Sequence, residues 1–134
     1  MFKTTQAILI KIPYADGVQP EYERPYLVID VTPDYIKALN VSSFEGKELK
    51  LLKNRNEFIN NYNPPFLKPS FVKLDSVYII EKNRKLKDAI LCEGKQLDKD
   101  EFEKIYKKFI DYKEQNPFDF AEKRIDKKEF YKYN

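Results

Sequence analysis

The stretch that decides the fold is Arg24–Ser43, RPYLVIDVTPDYIKALNVSS. Two apolar segments, YLVIDV (26–31) and YIKALNV (35–41), are rich in β-branched and aromatic residues and read as strands. Between them lies TPD (32–34), a turn in which proline fixes φ and Asp34 is able to bond its own backbone. The pair is therefore predicted to be a hairpin about Pro33, with cross-strand partners whose numbers sum to about 66. Arg24 and Ser42 meet that sum. They are expected to face each other at the open end, with Asn40 on the same face as Ser42.

Working outward, QAILIKI (6–12) reads as a strand that stops at Pro13. Residues 13–25 carry three prolines and a glycine and are expected to form a long loop. Residues 45–69 suggest a short strand or helical turn within a loop. SFVKLDSVYIIEK (70–82) alternates at Val72, Leu74, Ser76, Tyr78 and Ile80, which predicts one strand. A helix is predicted to start at Asp98, with Glu101 completing a capping box and Leu97 and Phe102 as its staple. Phe102, Ile105, Tyr106, Phe109 and Ile110 would form its buried face, and Pro117 follows its end. The predicted class is α+β, mainly β: a small barrel or curled sheet with a C-terminal helix. Residues 1–114 would form that domain. Residues 115–134 would be a helical or partly ordered tail; residues 118–134 are expected to lie outside the catalytic centre, and removing them is expected to leave the fold intact.

Composition narrows the chemistry. The chain has 134 residues, enough for one domain with one core. It is 42% hydrophobic and 15% aromatic, so it should fold; 35% of it is charged, with a net charge of +3 that allows a polyanion partner without requiring one. The single cysteine, Cys92, forbids an internal disulfide and suggests a reducing, cytoplasmic setting. Cys92 itself reads as a buried small residue with no redox role. The longest apolar runs (AILI, YLVI, VYII, AILC) are four residues, too short for a membrane span or a secretory core.

There is no histidine, and the three glycines stand apart. These facts argue against histidine-dependent nucleophile triads, zinc sites and glycine-rich phosphate loops. Any catalysis is expected to need no metal and no cofactor, using Arg, Lys, Tyr, carboxylates or hydroxyls.

Within those limits, Arg24 opposite Ser42 beside a long loop suits a phosphate: the guanidinium fork binds two oxygens and the hydroxyl donates a third bond. An Arg-Pro before a strand and a Ser-Ser after one also arise as ordinary strand-end chemistry, and spacing alone does not choose. Tyr14 and Tyr22 fit either base stacking or loop packing, whereas Tyr26 fits the core. Lys50, Lys53 and Arg55 form a basic run that would suit an RNA backbone or simply a solvated face.

The order of these segments resembles the MazF/PemK family of toxin–antitoxin toxins. The first strand and loop followed by RPYLVI, then ALNVSS, SFVKLDSVYII and LDKDEFEKIYKKF, match that family's succession over roughly residues 6–112. The resemblance implies an SH3-like barrel, a homodimer, and metal-independent cleavage of single-stranded RNA. It implies catalytic roles for Arg24 and for Ser42 or Ser43, and an antitoxin partner that is either protein or RNA. By this reading Tyr14, Tyr22, Asn40, Lys50, Lys53 and Arg55 would bind substrate. Bottom-up, Arg24 acts as an electrostatic clamp on the developing phosphoryl charge, because its pKa makes it a poor proton donor. The Gly-Asp and tryptophan common in the family's first strand are missing, and the 45–69 segment and the tail are longer than usual. Two other functions fit the same small fold: a non-catalytic nucleic-acid or protein binding module, and a gyrase-poisoning toxin, which typically lacks the Arg–Ser pair.

Overall fold

A computed structural model describes residues 2–43 and 53–134. The chain is a small α+β protein built on a mostly antiparallel sheet. Strands β1 (Ala7–Ile10), β2 (Arg24–Val31), β3 (Tyr35–Ser43), β4 (Asn56–Ile59), β5 (Ser70–Lys73) and β6 (Ser76–Glu81) come first. They are followed by α1 (Arg84–Asp88), α2 (Lys99–Gln115), β7 (Ala121–Ile125) and α3 (Lys127–Tyr133). One path through the sheet runs β1-β2-β3-β5-β4, while β6 pairs with β3 and with β7. Among the described residues the sheet is open.

The β2–β3 hairpin forms in the expected register at its open end: Tyr26 pairs with Asn40, Leu27 with Leu39 and Val28 with Ala38. Towards the turn the sum rises by one, because Ile29 is bulged between Val28 and Asp30. Thr32, not Asp34, closes the turn: its hydroxyl donates to the Tyr35 carbonyl and accepts from the Tyr35 N–H, both at 3.0 Å.

The stretch 70–82 is not one strand. It breaks at Leu74–Asp75 into β5, which faces residues 41–43 of β3, and β6, which faces residues 35–38. Val41 pairs with Val72 and Ala38 with Tyr78, so two residues of β3 span the same gap as five of the partner chain segment. Tertiary bonds hold the excursion: the Leu74 N–H donates to Arg55 O at 2.7 Å, and Asp75 O accepts from the Ala121 N–H at 3.0 Å. Alternation could not reveal this break, because the inserted residues keep the apolar pattern nearly in phase.

The sheet is buried on both faces, which is why its strands read as unbroken apolar runs. Leu27, Ile29, Leu39 and Val41 lie in a cluster with Ile105, Phe109 and Tyr112 of α2. Tyr26, Val28, Ile36 and Ala38 lie in the other, with Leu86 of α1, Ile125 of β7 and Phe130 of α3. The fully buried residues of α2 are Glu101, Ile105, Phe109 and Tyr112; Phe102 and Ile110 pack partly buried against the same cluster, as expected, and only Tyr106 of the expected face is exposed. The capping box forms by half. The Asp98 side chain accepts from the Glu101 N–H, but the Glu101 carboxylate turns away to Lys104 at 2.5 Å and the Asn61 N–H at 3.0 Å.

The tail is ordered into β7 and α3. β7 runs parallel to β6, Ile80 pairing with Ile125. At the C-terminus Asn134 Nδ2 donates to Lys11 O at 2.7 Å, tying α3 to the chain just beyond β1. Residues 118–134 are therefore packed into the fold, with Ile125 and Phe130 buried, which argues against the expectation that they could be removed without harm.

Candidate functional site: a cleft and a chamber on either side of Arg24

Arg24 opens β2, where its Cα partner is Ile10 of β1. Ser42 and Ser43 lie on β3 just after that strand has turned from β2 to β5, their partners being Phe71 and Ser70. The two strands diverge here, and the divergence leaves a cleft of about 420 Å³. Arg24, Ser42 and Ser43 all line it, together with Tyr22, Lys68 and Ser70. The three residues expected to act on a phosphate are thus brought to one surface.

The guanidinium is held in place by aromatic residues of the preceding loop. Nε donates to the Tyr14 hydroxyl, and Nη2 donates to the Tyr22 hydroxyl at 2.6 Å. Its central carbon lies 5.3 Å from the Tyr14 ring centroid and 4.4 Å from that of Tyr22, within cation–π range. The loop is pinned in turn, because the Ala15 N–H donates to the Tyr78 hydroxyl at 3.0 Å. Two of the five guanidinium N–H groups are used in this clamp, which leaves donors for a ligand. Ser42 is 5% exposed, and its Oγ donates to the Ser43 carbonyl at 3.3 Å.

Sequence reasoning missed three contributors. Lys68 adds a second cation to the cleft, against Glu23 as the single carboxylate among its described lining residues. Ser70 donates through Oγ to Lys68 O at 2.8 Å and closes the floor. Cys92 is half-buried on the same wall, not buried in the core; its Sγ lies 3.1 Å from the Pro65 carbonyl it donates to. The KPS tripeptide at 68–70 was the only local signal for the first two.

Asn40 is not in the cleft. It lines a separate chamber of about 370 Å³ on the other side of Arg24, with Tyr14, Lys73, Asp75 and Tyr78. The gap between β5 and β6 lies opposite Asn40 and makes this space. Asn40 is 2% exposed, and neither of its amide atoms has a hydrogen bond of normal geometry. The tail also reaches the chamber, through Asp119 and Ala121. Under the chamber, Tyr26 and Tyr78 meet edge to face, ring centroids 5.2 Å apart. Burial pushes both phenols above the ordinary tyrosine pKa, Tyr26 the further; neighbouring tyrosines push Tyr26 the same way, and Asp16 and Asp75 push Tyr78 so, by opposing a phenolate.

Lys53 and Arg55 are exposed in the turn before β4 and line neither space. Lys50 lies outside the described residues. Among the described residues, no group of three or more His, Cys, Asp or Glu side chains could hold a metal ion, and no helix is long and apolar enough to cross a membrane. No protein-family model and no curated protein matches the chain.

Proposed function

We propose that this chain is a MazF/PemK-like toxin: an endoribonuclease that cuts single-stranded RNA by 2′-OH attack, with the cleft between β2 and β3 as its active site. The observation that carries the reading is the clamp on Arg24, a guanidinium oriented by Tyr14 and Tyr22 at the mouth of a cleft floored by serine hydroxyls. Electrostatic stabilisation works when donors are fixed before charge develops, and this arginine is fixed.

In the proposed reaction the ribose 2′-oxygen bonds to phosphorus as the P–O5′ bond breaks. The 2′ proton passes to a base, Glu23 being the carboxylate on the cleft wall, and the departing O5′ takes a proton from solvent water. The products are a 2′,3′-cyclic phosphate and a 5′-hydroxyl. Arg24 and Lys68 offset the charge that builds on the non-bridging oxygens, while Ser42 or Ser43 donates to one of them. The proposed reaction runs on these side chains and water, with no step assigned to a metal or cofactor.

The fold belongs to the same proposal. β3 passes from one half of the sheet to the other, the bend expected of a sheet curling towards an SH3-like barrel. A homodimer and an antitoxin partner follow from the same resemblance, and the proposed cytoplasmic setting rests on the single cysteine. The apolar face opposite α2 is covered by Leu86, Ile125 and Phe130 of this chain, so the dimer rests on the resemblance alone.

One observation favours a rival reading, a binding module that does not cut. Tyr22 is exposed on the rim with a cation stacked on it, an arrangement that also suits sequence-tolerant base stacking. Purified protein incubated with single-stranded RNA in EDTA separates the two. Cleavage to cyclic-phosphate ends, lost by at least about a hundredfold in Arg24→Ala, supports the nuclease. Binding without cleavage supports the module, and cutting only with added metal overturns the mechanism.

A further inference from the structure

We infer that the chamber containing Asn40 is a base-reading subsite for a nucleotide adjoining the scissile phosphate, selective for bases that carry an exocyclic amine beside a ring acceptor on the Watson–Crick edge: adenine and cytosine. The inference rests on the cleavage reading above and gives it a sequence preference.

The first argument is Asn40 itself. A carboxamide offers two donors and up to two acceptor directions, and this one is buried without a hydrogen bond of normal geometry. The Tyr26 hydroxyl stands near enough for the amide to favour its ionised form, but one hydroxyl engages at most one of the two amide atoms. Buried polar groups in folded proteins almost always find partners, so an amide left over on a cavity wall points to what fills the cavity. The amide also matches the edge of such a base, since Oδ1 accepts from an exocyclic amine while Nδ2 donates to the adjacent ring nitrogen.

The second argument is charge. Three carboxylates, Asp16, Asp75 and Asp119, line the chamber against two cations, Arg24 and Lys73. Arg24 is already clamped by its tyrosines and shared with the cleft. The remaining lining repels a second phosphate and suits a neutral ligand with N–H groups to donate. Uracil has no exocyclic amine to offer these carboxylates.

The third argument is placement. Arg24 lines both spaces, so a phosphate on its cleft side puts an adjoining base within reach of the chamber. The chamber exists because the β5–β6 excursion leaves β3 uncovered at this point, and the loop bond from Ala15 to Tyr78 keeps it open.

The test is to cut a random-sequence single-stranded RNA library with the full-length protein and sequence the new ends. The wild type is expected to enrich adenine or cytosine over uracil by about tenfold at one nucleotide adjoining the cut, the scale of one bidentate amide–base contact. Asn40→Ala should flatten that enrichment among whatever cuts it still makes, and Asp75→Asn, which preserves shape, should weaken it. Melting curves establish that each variant is folded, and Asp75→Asn carries the test should Asn40→Ala not fold. A merely structural role would lower cutting at all sites alike and leave the base distribution unchanged. Unchanged base preference in the folded variants overturns the subsite while the nuclease stands. A wild type that cuts nothing in the library removes the nuclease reading and the subsite with it.

Discussion

Nη2 of Arg24 donates to the hydroxyl of Tyr22, two residues earlier, at 2.6 Å, and the guanidinium carbon lies 4.4 Å from the centroid of the same ring. A residue on the loop rim therefore sets the direction of the charged group at the cleft. Tyr22→Phe keeps the ring and removes the bond; Tyr14→Phe does the same on the other side. Each is expected to reduce RNA cleavage less than the roughly hundredfold loss in Arg24→Ala, since the cation remains. Arg24→Lys should recover only part of the activity, because a point charge lacks the fork. Steady-state kinetics check this, with the tyrosine variants losing kcat more than KM if they act by positioning; equal wild-type rates in both would sink the clamp.

Ser42 and Ser43 are adjacent and both line the cleft, but Ser42 is the more deeply buried. Ser42→Ala is expected to cost less activity than Arg24→Ala, as loss of one neutral donor should against loss of a charged one. Should Ser43 be the donor, Ser43→Ala will show the loss and Ser42→Ala will not. Single-turnover cleavage of one RNA by both variants decides between them.

The buried pair Tyr26 and Tyr78 predicts instability in alkali. Their folded pKa values are raised, chiefly by burial, above the ordinary value near 10 for the unfolded chain. Below about pH 10 both states are protonated and the contribution is intact. Above it the unfolded chain sheds protons that the folded one keeps, so stability falls as pH rises, by up to about 1.4 kcal/mol per unit for each tyrosine. Denaturant melts from neutral to strongly alkaline pH should show the decline, and it should be shallower in Tyr26→Phe. An identical slope in that variant would refute the assignment.

Phe130 of α3 is buried against the sheet, though it lies in the C-terminal tail. Phe130→Ala should destabilise by about 3–5 kcal/mol, the usual cost of truncating a core phenylalanine. Deleting residues 118–134 should do more, since it also uncovers the edge of β6 and removes Asp119 and Ala121 from the chamber wall. Chemical denaturation of the two proteins measures this; a truncation as stable as the whole chain would show that the tail only rests on the surface.

The hairpin about Pro33 was legible because its information is local. Strand-forming runs, a turn with a proline and two-residue periodicity define the register from Tyr26–Asn40 to Val28–Ala38, whereas Arg24 and Ser42, expected to face each other, pair instead with Ile10 and Phe71 and share only the cleft. The start of α2 was legible for the same reason: Asp98 caps the N–H groups three residues on. Three things were decided only by tertiary packing. The break at Leu74–Asp75 depends on bonds to Arg55 and Ala121, distant in sequence, and that break turns Asn40 away from the cleft into its own chamber. Glu101 leaves its expected cap because Lys104 and the Asn61 N–H offer a better site across the α2–β4 contact. The tail becomes a strand and helix because β6 presents an unpaired edge and the second apolar face needs cover. Local periodicity says which face of a strand is apolar, but which other part of the chain covers that face is settled only when the whole chain has closed around it.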